Sequence, residues 1–255
     1  MAKQVKVRAV MTTARHDIAY ARTWIERALK QAGVPLAVSF GVYYGQLMQQ
    51  MLETAVKDDL DFVVTVDGDS VFTGDQVHRL ICIAANEDMD AVASMQVRRG
   101  IKSLLGFKKG VTSAMWDGTP IQVDAAHFGL TVLNVKKLAT TPKPWFYCKP
   151  DENGEWGENH IDSDVWFWQQ WKDAGHKLFI DPGCRIGHVE EMVVMHNEEM
   201  IPTHYYPKDW DKLMMEKKDD QDVETVEEVS AGGSDRCPDS RCGGSTCQSP
   251  EGCLI

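Results

Sequence analysis

The sequence predicts an α/β fold, a mostly parallel sheet flanked by helices, as one domain over residues 1–210 followed by an acidic and disordered tail over 211–255. Three observations lead there. Strand-like and helix-like segments alternate from the N-terminus. One strand, Asp61-Phe-Val-Val-Thr-Val-Asp67, is apolar and β-branched along its interior, as a strand covered on both faces must be. Beyond about Pro207 the apolar pattern gives way to charge, and residues 209–255 hold twelve acidic and five basic side chains, most of the formal net charge of −11.

Taken in order, residues 4–13 read as a first strand, 14–17 as a turn and 18–32 as a helix. After Gly33-Val-Pro comes a second apolar run at 36–42. A helix follows over 46–57, where Leu47, Met48, Met51, Leu52 and Ala55 recur at helical spacing. The strand at 61–67 ends in Asp-Gly-Asp-Ser. A helix over 75–86, capped near Thr73, and a strand over 91–97 continue the alternation. Residues 98–119, rich in Gly and Lys, read as a mobile loop. A strand-like piece at 122–124 leads into Ala126-His-Phe-Gly-Leu-Thr-Val-Leu-Asn, with a short helix over 135–139. The polar stretch 151–159 reads as a loop near the site, 163–174 as a helix closed by Gly175, and 177–180 as a strand from which Asp181-Pro-Gly turns toward Arg185 and His188.

At 43% hydrophobic residues the chain can bury a sizeable core. No run approaches the roughly 20 apolar residues that span a bilayer, and the N-terminus lacks a signal peptide's apolar stretch, so the expectation is a soluble, cytoplasmic protein with no membrane partner. The mildly acidic body gives no global attraction to nucleic acid, although Arg98, Arg99, Lys102, Lys108 and Lys109 make a local basic stretch. Cys82, Cys148 and Cys184 read as reduced core or near-core thiols. Cys237, Cys242, Cys247 and Cys253 lack the close Cys-x2-Cys pairs of common zinc sites.

The chemistry centres on Asp67 and Asp69. Two carboxylates one residue apart at the C-terminal end of a strand face the edge where parallel α/β sheets bind ligands. With a nucleotide's diphosphate and waters they make the oxygen shell that Mn²⁺ or Mg²⁺ takes, and the cation would neutralise charge on a departing nucleoside diphosphate. Two other readings of the pair remain open: helix capping or turn formation, and the Asp-x-Asp-x-Val pattern of haloacid-dehalogenase phosphatases, with Asp67 as nucleophile and Asp69 as acid/base. A non-catalytic sugar-nucleotide-binding module is a further alternative.

Downstream, Asp162-Ser-Asp164-Val-Trp166-Phe167, then Ala174-Gly-His-Lys-Leu-Phe-Ile-Asp181 and Gly187-His188, resembles the C-terminal half of GT-A glycosyltransferases of the Asp-x-Asp, family-2-like kind. There a Glu-Asp-x-x-Phe motif opens a helix, a strand follows, and a His comes soon after. Asp164 and Phe167 fall on that motif's Asp and Phe, and Ser163 stands in place of its Glu. The resemblance implies a GT-A (Rossmann-like) fold and transfer of a sugar from a nucleotide-diphosphate sugar to an acceptor hydroxyl. It makes Asp164 the catalytic base and His188 the third protein ligand to the metal beside Asp67 and Asp69. It also implies substrate contacts from Asp67, from Asp162 in place of the missing Glu, and from Arg15 in the nucleotide-contacting loop Thr12-Thr-Ala-Arg15; Trp166, Trp168 and Trp171 read first as packing residues, with Trp166 the one that would stack on an acceptor. His127-Phe-Gly-Leu resembles the acceptor-side loop, and Gly45-Gln46 would open the helix beside the nucleotide. A compact chain of this kind also resembles the glycosyltransferases carried by phages, which would place it in a host cytoplasm and whose acceptors include modified DNA bases, proteins and glycans.

Overall fold

The structure is a computed structural model that describes residues 5–13, 18–97, 118–157, 159–196, 199–207 and 209–212. The chain divides into two compact units, Met1–Glu191 and Met192–Ile255.

The first unit is built on a seven-stranded sheet whose order is β2-β1-β3-β7-β5-β8-β6. Its strands are β1 (Val7–Thr13), β2 (Leu36–Phe40), β3 (Phe62–Asp67), β5 (Ala91–Met95), β6 (Ile121–Val123), β7 (Leu130–Asn134) and β8 (Leu178–Arg185), and β4 is the two-residue piece Ser70–Val71 outside that sheet. β1 pairs in parallel with β2 and β3, and β5 with β8. β7 runs antiparallel between β3 and β5, and β6 antiparallel along β8. The predicted mostly parallel sheet is therefore present, with the two reversed strands entering in its second half.

Because successive side chains of a strand point to opposite faces, one covered sheet makes two cores. Val10, Val63, Ala91, Ala93 and Leu133 point to one face, where Met48 and Leu52 of α2 (Tyr44–Lys57), Leu138 of α4 (Val135–Thr140), and Phe167, Trp168 and Trp171 of α5 (Ser163–Asp173) cover them. Ala9, Met11, Val64, Val66, Val92 and Val132 point to the other, under Ile25 and Leu29 of α1 (Ala19–Gln31) and Val77, Leu80 and Ala84 of α3 (Gly74–Asn86). As predicted, α3 starts at Thr73. Its backbone N–H donates to Gln76 Oε1 at 2.9 Å and its hydroxyl accepts from the Gln76 N–H, so each residue satisfies an otherwise orphaned donor of the other.

Two expectations need correction. The strand predicted to stop at Ile180 continues to Arg185, and Asp181-Pro-Gly is a bulge in it rather than a turn: Asp181 lies opposite Ser94, but the next pair is Arg185 with Met95. The bulge is tied down by Asp181, which is fully buried, accepts from Arg79 Nη2 at 2.9 Å and also from Arg79 Nε, and takes the Gly183 N–H at 3.0 Å. A Cβ at Gly183 would lie 2.5 Å from Arg79 Nη2, so a larger residue there would require the guanidinium to shift on Asp181. Among the thiols, Cys184 is buried, which pushes its pKa up to about 12, and Cys82 is half-buried, but Cys148 is exposed rather than near the core.

In the second unit β10 (Val193–His196) and β11 (Pro202–Tyr205) form an antiparallel pair with Val193 opposite Tyr205. The four tail cysteines and the basic stretch at 98–109 lie outside the described residues. Among the described residues no helix is long and apolar enough to cross a membrane.

Candidate active site

Asp67 is the last residue of β3, whose preceding five residues are all buried, so the strand delivers a half-buried carboxylate to the C-terminal edge of the sheet. Gly68 and Asp69 follow, and the chain then enters β4. This short piece pairs antiparallel with β9 (Gly187–His188), with Ser70 opposite His188 and Val71 opposite Gly187. The Val189 N–H adds a bond to the Asp69 carbonyl at 2.8 Å. Backbone pairing thus sets His188 beside the Asp-Gly-Asp segment across some 120 residues of sequence.

The His188 imidazole is almost fully covered, its side chain 4% exposed, and its Nε2 lies 2.9 Å from Glu190 Oε1. An ionised carboxylate only accepts, so Nε2 is the donor to Glu190, and in the neutral imidazole that arrangement leaves the lone pair on Nδ1. A carboxylate holding the far nitrogen of a histidine is the arrangement that fixes the tautomer of a metal-binding imidazole. Glu190 is a contributor that the sequence reading missed.

The second half of the site is the start of α5. Asp162 occupies the position before the helix but makes no side-chain cap bond; its Oδ1 meets His160 Nε2 at 2.8 Å instead. His160 also contacts the Gly157 carbonyl through Nδ1, and these two bonds, that to Gly157 first, raise its pKa above the usual histidine value. Asp164 lies in the first turn with Oδ1 accepting the Val165 N–H at 2.8 Å. Burial raises the Asp164 pKa and the neighbouring Asp162 charge adds to that, while the Val165 N–H opposes.

Tyr44, which the sequence reading also missed, connects the halves. It opens α2, packs edge-to-face on Phe146 at 6.1 Å, and has its pKa raised well above the usual phenol value by burial and then by the charges of both Asp67 and Asp164. The phenol thus lies within electrostatic reach of both the end of β3 and the start of α5. Gly45 explains how the helices come so close: a Cβ there would lie 2.9 Å from Phe146 Cβ and 3.5 Å from Ser163 Cβ. Gly45→Ala is expected to push α2 off Phe146, costing about 1–3 kcal/mol of stability by overpacking. Urea unfolding of parent and variant checks the loss.

Beneath β4, His127 is buried and held neutral. Its Nδ1 accepts the Gly129 N–H at 2.9 Å, its Nε2 donates to the Ser94 carbonyl at 2.8 Å, and burial lowers its pKa to about 4. This segment, predicted to face the acceptor, therefore lies in the interior.

Of the tryptophans, Trp168 and Trp171 are core residues, whereas Trp166 is half-buried with Nε1 donating to the Pro144 carbonyl at 3.0 Å and its ring against Tyr147 at 5.4 Å. Arg15 lies outside the described residues. Asp67, Asp69, Asp162, Asp164, Trp166 and His188 all belong to the first unit. Among the described residues no group of three or more His, Cys, Asp or Glu side chains is placed to hold a metal ion by itself. The donor set of two strand-end carboxylates and one imidazole fits a cation that completes its shell with phosphate oxygens and water.

No family model and no curated relative matches the chain. Among solved structures it is similar to A197 from STIV, with a TM-score of 0.54 and 13% identity over 78% of this chain and 94% of that one. GalNAc-T7, solved with UDP, GalNAc and Mn²⁺, is similar at a TM-score of 0.46 and 12% identity, over 73% of this chain and 43% of that one. At such identities the likeness concerns fold alone, and the architecture is consistent with a GT-A-like Rossmann fold.

Proposed function

We propose that this chain transfers a glycosyl group from a nucleotide-diphosphate sugar to an acceptor hydroxyl. The observation that carries the reading is the β4–β9 pairing, which sets His188 beside Asp69. Tyr44, sensing both Asp67 and Asp164, supports it by tying the base to the same edge. Asp67, Asp69 and His188 would hold Mn²⁺ or Mg²⁺, with Glu190 orienting the imidazole. When bound, the cation supplies charge neutralisation for the departing nucleoside diphosphate. Asp164 accepts the proton of the acceptor hydroxyl as its oxygen bonds to the anomeric carbon and the bond from that carbon to the diphosphate oxygen breaks. The raised Asp164 pKa strengthens it as a base, and its place in the first helical turn favours the ionised form. Asp162 and Trp166 contact the acceptor, and Arg15 holds the nucleotide.

The test is thermal stabilisation across a panel of sugar nucleotides, with Mn²⁺ and with chelator. A sugar nucleotide at 100 times its Kd should add about 2.7 kcal/mol with Mn²⁺, with the shift lost in chelator and in Asp69→Ala. Equal shifts with and without cation, or none with any sugar nucleotide, overturn the reading. Release of phosphate from simple monoesters that disappears in Asp67→Asn would assign the site to a phosphatase instead.

A further inference from the structure

The pairing that sets His188 beside Asp69 is too small to hold itself. β4 and β9 contribute two residues each and form a sheet of their own, apart from the seven-stranded one. Even full two-stranded hairpins are marginal in water, so the register of this ladder must be fixed from outside it. The Val189 N–H bond to the Asp69 carbonyl closes one end. At the other end the two strands part: Thr73 caps α3, and Arg185 closes the bulge of β8.

The register identifies what joins them there. Ser70 lies opposite His188 and Val71 opposite Gly187, so the same alignment continued by two residues sets Thr73 opposite Arg185. Hydrogen-bonded pairs recur at every second residue of an antiparallel ladder. Asp69 with Val189 is such a pair, which makes Val71 with Gly187 the next and Thr73 with Arg185 the one after. At that place the Gln76 side-chain amide stands between the two backbones: its Oε1 accepts the Thr73 N–H at 2.9 Å and its Nε2 donates to the Arg185 carbonyl. The amide is thus a rung of the ladder made by a side chain. Its surroundings lock it. The Cys184 thiol donates to the Gln76 carbonyl at 3.8 Å, Arg79 of the same helix grips Asp181 at the start of the bulge, and the Ile186 N–H bonds to the Met95 carbonyl at 2.9 Å. Capping α3 needs only the Oε1 bond; the Nε2 bond to a carbonyl 109 residues away serves no helix.

We infer that Gln76 is a positioning residue for the cation site: its amide splices β4 to β9 and so keeps His188 in register with Asp69, where both can serve one cation. The inference rests on the transferase reading for the cation, and its test reads the pairing and the cation separately.

Gln76→Glu divides the two bonds of the amide. Glutamate keeps an oxygen for the Thr73 N–H and suits the first helical turn, but sets a carboxylate oxygen against the Arg185 carbonyl. Hydrogen exchange of the full chain without metal, followed by mass spectrometry, should be about tenfold faster over residues 185–190 in Gln76→Glu and Gln76→Ala than in the parent. Mn²⁺ binding is read by electron paramagnetic resonance of the free ion, alone and with the sugar nucleotide that stabilises the chain most. Its Kd should rise about tenfold in both variants, as for residues that orient a metal ligand. Thr73→Ala is the control. It removes the hydroxyl half of the cap and lowers the urea midpoint, but it keeps the Thr73 N–H and the amide, so Mn²⁺ affinity should stay at the parent value. Circular dichroism confirms that all three variants are folded. Unchanged exchange over 185–190 in both Gln76 variants overturns the inference, as does an Mn²⁺ affinity that neither weakens or that Thr73→Ala weakens equally. If the parent binds Mn²⁺ and Asp69→Ala does not, that failure leaves the transferase reading standing. A parent that binds no Mn²⁺ in either condition overturns both.

Discussion

Asp164→Asn is expected to lower glycosyl transfer by about 10²–10⁴-fold, the usual contribution of a positioned general base, while leaving the protein at least as stable as the parent at neutral pH. The two halves of this result have one cause. Burial, reinforced by Asp162, raises the Asp164 pKa in the folded chain, so the fold prefers the protonated carboxyl and holding it ionised costs stability. That cost is absent below the carboxyl's ordinary unfolded pKa. It develops as the pH rises through the raised folded value and is fully present above it. Asparagine keeps an oxygen for the Val165 N–H and carries no charge, so it removes the cost together with the base. Melting temperatures of parent and variant should therefore converge as the pH falls through the carboxylate range and separate, variant higher, toward neutrality. For the same reason the acid limb of the parent's kcat/KM profile should lie above the ordinary carboxylate range. A variant that turns over normally, or melts below the parent at neutral pH, would remove Asp164 from the role.

Local signals made half of this site legible in the sequence. The strand before Asp67 is apolar at every position that both cores require, and the α5 segment carries its own opening acidic residues and closing glycine, so both ends of the argument lie on elements that declare themselves. What joins them does not. β4 and β9 are two residues each, too short for any periodicity, and they pair only because the sheet has already brought residues 70 and 188 together. Asp181-Pro-Gly has the composition of a turn, and it becomes a bulge through Arg79, which reaches Asp181 from α3 about 100 residues earlier. Tyr44 is one aromatic among several at a helix start, and Glu190 one acid beside others. Their importance comes from what they meet in space.

Within α5 the division between core and site is readable in the helical period, and it yields the largest expected loss of stability. Phe167, Trp168 and Trp171 recur at the spacing that keeps them on one stripe, and all three are at most 2% exposed. Trp168 stacks on Phe128 at 5.3 Å with an interplanar angle of 11°, meets Phe167 edge-on at 4.9 Å, and donates Nε1–H to the Ala126 carbonyl. Trp168→Ala is expected to cost about 3–5 kcal/mol, a fall in Tm of roughly 6–20 °C for a chain of this size. The cavity and the bereft Ala126 carbonyl both contribute to it. Trp168→Phe keeps much of the volume and should cost less, leaving mainly the lost hydrogen bond. Trp166 falls off the stripe, so Trp166→Ala should cost less than about 1 kcal/mol and instead raise the acceptor KM. Urea unfolding of the three variants beside acceptor kinetics separates these outcomes. A large stability loss at Trp166, or a small one at Trp168, would mean that α5 is rotated about its axis, and the assignment of Asp164 as the base would fall with it.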